Sequence, residues 1–171
     1  MNTNCKLIFF LISIMFISCT VETESHIVKT PNLELKASGP FFQGSNSLTA
    51  TWDYNIDELF PQIEGDIIIE SARVITIKIV PKPNVDYPRI GDVIMQMKVK
   101  NKNMSRIGLI ESKFKKNESN SLKVSQIQNN FSKDLKYGHI NFRADFEMID
   151  EKYADDLSFD LIVTFDIRTR K

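Results

Sequence analysis

The chain has 171 residues, with 22 Lys and Arg against 22 Asp and Glu, two His and two Cys. So even a balance gives no general electrostatic reason to bind nucleic acid or anionic lipid. Two cysteines cannot build a disulfide framework, and the absence of paired C-x-x-C and of H-E-x-x-H removes the usual zinc sites.

The chain opens with Met1 and Lys6 and then an apolar run, Leu7 to Ile17, broken only by Ser13. This is the layout of a secretory signal, and it falls short of the roughly 18 to 20 apolar residues that span a bilayer. The run stops at Cys19 and turns polar and acidic through Thr20, Glu22 and Glu24. Phe16-Ile17-Ser18-Cys19 resembles the bacterial lipoprotein box, in which a small residue precedes a cysteine whose thiolate takes a diacylglycerol before cleavage on its N-terminal side.

That resemblance implies a signal peptide over residues 1–18 and an acylated Cys19 as the first mature residue. It implies a membrane partner through the lipid, usually three fatty acyl chains such as palmitate. One chain holds only marginally at about 0.8 kcal/mol per buried methylene, whereas three make a lasting anchor. Thr20, rather than Asp, after the cysteine implies the outer membrane of a cell envelope. Glu22 and Glu24 are similar to the surface-export signals of some such bacteria, which leaves periplasmic and surface-facing locations both open.

Residues 19–30 carry Glu22, Glu24, His26 and Lys29 with no apolar period and read as a tether, so the folded domain is expected over 31–171. Some 150 residues after cleavage suffice for one domain with its own core. Within it, Leu33–Ala37 and Leu48–Tyr54 read as short strands. Asn55 before Asp57 and Glu58 is a helix cap, but Pro61 limits that helix to about a turn.

Asp66–Glu70 reads as a short strand and Val74–Val80 as a strand with Ile75, Ile77 and Ile79 facing one way, ended by Pro81-Lys82-Pro83. Asp92–Lys100 alternates with Val93, Met95, Met97 and Val99 inward, and Ile107–Phe114 and Leu122–Ile127 are weaker strands. Lys98, Lys100 and Lys102 on one side suggest a lysine-guarded sheet edge or a patch for phosphates of an acidic glycan. Asn130–Tyr137 reads as a second helical turn closed by Gly138.

The clearest signals come last. Ile140, Phe142, Ala144, Phe146 and Met148 alternate with polar residues, and so do Leu157, Phe159, Leu161, Val163, Phe165 and Ile167. With Asp150–Asp156 between them they predict a long antiparallel hairpin. Several short strands separated by polar turns, with no 20–50-residue repeat, predict an all-β fold, a single antiparallel β-sandwich. Leu135 to Ala144 resembles the turn-plus-strand start of immunoglobulin-like and fibronectin-like extracellular sandwiches, which implies an immunoglobulin-like arrangement.

Catalytic chemistry is mostly missing from the sequence: there is no G-x-S-x-G turn, no phosphate-cradling glycine loop, and neither His26 nor His139 has a partner nearby in sequence. No cofactor is expected. Phe41 and Phe42, between Gly39-Pro40 and Gly44, are expected on a loop where their rings would stack on a ligand. Asp155 and Asp156 in the last hairpin are the weak calcium candidates. These features favour a non-catalytic binding module that presents its surface to a glycan or an envelope protein. The alternatives are a structural subunit of an envelope assembly, marked by an exposed apolar edge, and a polysaccharide hydrolase with two carboxylates in a cleft.

Overall fold

The computed structural model describes residues 23–63, 65–100, 102–111 and 114–170, so the signal segment and Cys19 lie outside the described residues. The fold is all-β and antiparallel. Its strands are β1 (Thr23–Lys29), β2 (Leu33–Ala37), β3 (Phe41–Asp53), β4 (Ile68–Pro81), β5 (Ile90–Val99), β6 (Ser105–Ile110), β7 (Asn120–Ser121), β8 (Lys123–Val124), β9 (His139–Tyr153) and β10 (Leu157–Arg170). Two single helical turns, α1 (Ile56–Leu59) and α2 (Ser132–Leu135), complete it.

The strands hydrogen-bond along one path, β7-β4-β10-β2-β3-β9-β5-β6-β8, which bends back on itself nearly into a closed barrel. One edge of β10 runs along β4, and the other is shared end to end by β1, from Thr23↔Arg170 to Lys29↔Thr164, and by β2, from Leu33↔Leu161 to Ala37↔Leu157. Closure falls to the segment 120–124: β7 pairs Lys78 and Ile79 of β4, and β8 pairs Gly108 and Leu109 of β6. The crossing is close at Gly108, where a Cβ would lie 2.7 Å from Ile77 Cδ1 and 3.3 Å from Lys123 O.

The predicted hairpin is present, with Ile140, Phe142, Ala144, Phe146 and Met148 of β9 and Leu157 through Ile167 of β10 turned into the core. Inside, Trp52 stacks on Phe165 at 5.8 Å and Tyr87 on Phe159 at 4.5 Å. Both ends of the barrel are stoppered by a tyrosine whose ring is apolar and whose hydroxyl is spent on backbone. At one end Tyr87 donates to Ser158 O at 2.6 Å and accepts from Lys82 N at 2.9 Å; at the other Tyr54 donates to Leu135 O at 2.6 Å. The void left among Leu35, Leu48, Ile79, Phe146 and Phe159 holds about 10 Å³. A single water needs roughly that much, so the interior is filled by side chains.

Five expectations change, the first being that Leu122–Ile127, expected as a strand, supplies only the two-residue β8, Lys123–Val124. Thr23–Lys29, expected as tether, is strand β1, so the folded part begins before residue 31. Phe41 and Phe42, expected on a loop, open β3 opposite Tyr153 and Lys152. Ile75 is the extra residue of a bulge, since Thr76 pairs Thr164 while Val74 pairs Phe165; Val74 is therefore buried beside Ile77, and Ile75 is only half-buried. The strand of Lys98 is no edge, because β5 lies between β9 and β6.

Candidate functional site

With the barrel filled, a ligand can be met only on the outer surface or at the ends. Phe41 and Phe42 take opposite sides of β3, as successive strand residues must. Phe41 is buried, with its ring 6.2 Å from Phe146 and 6.5 Å from Tyr153. Phe42 is 57% exposed, so of the two candidate rings it is the one offered to solvent.

Two residues beyond Phe42 the ladder breaks: Phe42 pairs Lys152 but Gly44 pairs Met148. Gly44 holds φ +103, which a residue with a Cβ would adopt only under strain. Asn46 pins this irregularity by donating through Nδ2 to Phe42 O at 2.8 Å and Gly44 O at 2.9 Å. On the other side of β9 the β5 ladder shifts too, between Ile90 and Val93. Between the two shifts lies a shallow outer groove of about 260 Å³, lined by Gly44, Ser45, Asp92, Ile94, Asp145 and Glu147.

Asp145 is fixed in place, accepting from Gln96 Nε2 at 2.6 Å and Arg143 Nε at 2.7 Å. The groove therefore offers a hydroxyl and three carboxylates, and the exposed Phe42 ring stands three residues before Ser45 on the same strand. Oriented acceptors next to an apolar ring suit a polyhydroxylated ligand, whose hydroxyls donate and whose C–H faces stack. The sequence marked Asp145 and Glu147 only as the outward face of a strand, Asp92 only as the start of one, and Ser45 not at all. What brings them together is a pair of bulges that no local pattern announces.

Asp155 and Asp156 lie exposed in the short turn between β9 and β10. Asp156 Oδ1 accepts from Gly39 N at 2.9 Å, which ties that turn to the one between β2 and β3. Among the described residues no three His, Cys, Asp or Glu side chains are grouped to hold a metal ion.

His139 has a partner after all, 86 residues away: Asp53 Oδ1 lies 2.5 Å from its Nδ1, and Asn141 Nδ2 lies 2.9 Å from its Nε2. Thr51 Oγ1 donates to Asn141 Oδ1 at 3.1 Å rather than to the ring. Neither ring nitrogen meets a nucleophilic hydroxyl: Nδ1 faces the Asp53 carboxylate and Nε2 the Asn141 amide. Thr51, Asp53, His139 and Asn141 form a polar ladder across the paired ends of β3 and β9.

A larger groove of about 640 Å³ runs along the barrel's closing seam, lined by Ser105, Arg106, Leu109, Lys123, Gln126 and Ile127. Ile127 is 91% exposed there. Near the Tyr87 end, Glu34 is held at a pKa of about 2 by bonds from Lys36, Lys82 and Ser158. Asp150 is lowered by the Arg89 backbone N–H and guanidinium. Asp166 is lowered by the Ser25 hydroxyl and then by Arg73, which donates at 2.9 Å. These carboxylates brace strands and loops. Among the described residues no helix is long and apolar enough to cross a membrane. No protein-family model matches this chain, and no curated protein matches it either.

Proposed function

We propose that the protein is a lipid-anchored module of the cell envelope, held to the outer membrane through Cys19, that binds a glycan or a glycan-bearing envelope protein on its outer surface without catalysing a reaction. The observation that carries this is the exposed Phe42 ring on the strand that also supplies Ser45 to the Ser45–Asp92–Asp145–Glu147 groove, on a barrel whose interior has no room for a ligand. A rigid sheet floor with a bulge is a precise platform, because the acceptors stand on strands rather than on a loop. An immunoglobulin-like division into two facing sheets belongs to the same proposal. It is favoured by the joint between β2 and β3, which is the single pair Lys36↔Thr49.

The structural-subunit alternative is favoured by Ile127, whose side chain stands in solvent beside the seam groove. The two separate in one experiment. Native full-length protein, Phe42→Ala, Asp145→Asn, Ile127→Ser, Asp155→Asn and Asp156→Asn are each used to capture partners from envelope extract, with a reducing-end assay on captured polysaccharide. Glycan capture weakened in Phe42→Ala and Asp145→Asn, with unchanged melting of Phe42→Ala, supports the proposal. Capture lost only in Ile127→Ser supports assembly instead. Turnover of captured polysaccharide that disappears in Asp155→Asn or Asp156→Asn would make the protein a hydrolase.

A further inference from the structure

We infer that the anchored barrel stands on the bilayer with its α1–α2 end, seating Ile68 and Tyr137 at the level of the lipid headgroups and turning the Phe42 groove away from the membrane. This orientation rests on the acylation of Cys19 proposed above. Only three residues separate Cys19 from Thr23, where β1 begins. Four Cα steps at roughly 3.6 Å or less give a reach of about 14 Å at most, so the strand must start within that distance of the acylated residue.

The register shows which end that is. Thr23 pairs Arg170, and Arg170 pairs Ile68 on its other side. The same end holds α1 and α2, because Ile56 and Asp57 of α1 and Ser132 and Lys133 of α2 line one cleft with Ile68, and the Tyr54 hydroxyl donates to Leu135 O.

The surface of this end has the chemistry of a headgroup layer contact. Ile68 is 51% exposed and Tyr137 45% exposed. The ammonium groups of Lys100 and Lys136 lie 4.9 and 5.6 Å from the Tyr137 ring centroid. A cleft of about 380 Å³ runs from Ile68 to Lys133 and Lys136. A tyrosine ring sits well where one side is apolar and the other wet, and lysines beside it lay their stems on apolar surface while the ammonium stays in the polar layer.

Lys100, Lys102, Lys133 and Lys136 form no ion pair among the described residues. Asp57 and Asp66 line the same cleft, however, and Asp134 stands in α2. The charge of this end is therefore mixed, and the seat is the ring and the isoleucine. It forms on zwitterionic lipid, since a short tether already supplies a high local concentration. The groove beside Phe42 lies at the other end of β3, some 30 to 40 Å along the strand from the bilayer at about 3.3 Å per residue.

The test uses full-length lipidated protein in phosphatidylcholine vesicles with and without bromine on the acyl chains near the headgroup. Three variants each add one reporter: Tyr137→Trp, Ile68→Trp and Phe42→Trp, read against the unaltered chain, whose sole tryptophan is the buried Trp52. Brominated lipid is expected to quench the added emission of Tyr137→Trp and Ile68→Trp by about half and to leave that of Phe42→Trp unchanged. Variants that float with vesicles while all three reporters respond alike, or while Phe42→Trp alone is quenched, would overturn the orientation and leave the anchor standing. Proteins that do not float with the vesicles would overturn the anchor and the orientation together.

Discussion

Two parts of this barrel are built by different means: the wall made by β3, β9 and β5, and the seam where β4 approaches β6. In the wall, β9 is paired on both edges and every second side chain is buried, so sheet hydrogen bonds and core contacts come from the same residues. At the seam the strands are two residues long, and side-chain amides stand in for a missing neighbour. Gln128 takes Val74 N on Oε1 at 2.8 Å and gives Nε2 to Val74 O at 2.9 Å. Asn130, two residues on, takes Ala72 N at 3.3 Å and gives to Glu70 O at 3.2 Å. The lesson is that a barrel edge can be closed to other chains by amides spaced like strand residues, without a strand.

If that contrast is right, the largest loss of stability comes from the packed face. Phe165→Ala removes a ring with no exposure that stacks on Trp52, and it is expected to cost about 3 to 5 kcal/mol in denaturant titration. At the seam, Gln128→Leu keeps the bulk but strands the Val74 N–H and C=O; a loss of about 1 to 3 kcal/mol is expected. Amide exchange at Val74 should accelerate in that variant while exchange along β9 does not. Equal acceleration in both places would mean that seam and wall open as one unit.

A smaller effect is set by pH. The folded pKa of Glu34 is lowered from 4.5 to about 2, so its contribution is fully present above pH 4.5 and is lost as pH falls from 4.5 through 2. In Glu34→Gln the decline of melting temperature across that window should be shallower. It should not vanish, because Asp150 and Asp166 are lowered as well. Smallest of all, Phe42→Ala should leave stability within about 0.5 kcal/mol of the parent, since its ring touches mainly water.

The same contrast explains what was legible in the sequence. Strands β9 and β10 are written as period-two alternation because each has one face in the core, and the single turns at Asn55 and before Gly138 carry their own cap and terminator. Bulges break the rule: an extra residue at Ile75 moves the buried set from odd positions to Val74, and nothing in a run of β-branched residues marks where that happens. The seam is legible only in part: a strand is expected over Leu122–Ile127, but only Lys123–Val124 pairs, Asn120–Ser121 is too short to show a period, and the Gln128 and Asn130 amides bond to β4 in place of a strand. Strand β1 was missed because its outward side carries Thr23, Ser25 and Lys29, leaving Val28 as its one fully buried apolar residue. The groove was half legible: an aromatic pair beside Gly44 pointed to the region, but which ring faces out and which acids join it depended on pairing across three strands.

Both the proposed function and the proposed orientation stand on one proposed modification, the acylation of Cys19. Mass spectrometry of the N-terminal peptide from native, membrane-extracted protein reads it directly. The account predicts a first residue at Cys19 carrying a diacylglycerol on sulfur and a further acyl chain on its amine. A mature chain that begins elsewhere, with Cys19 removed or unmodified, would contradict it.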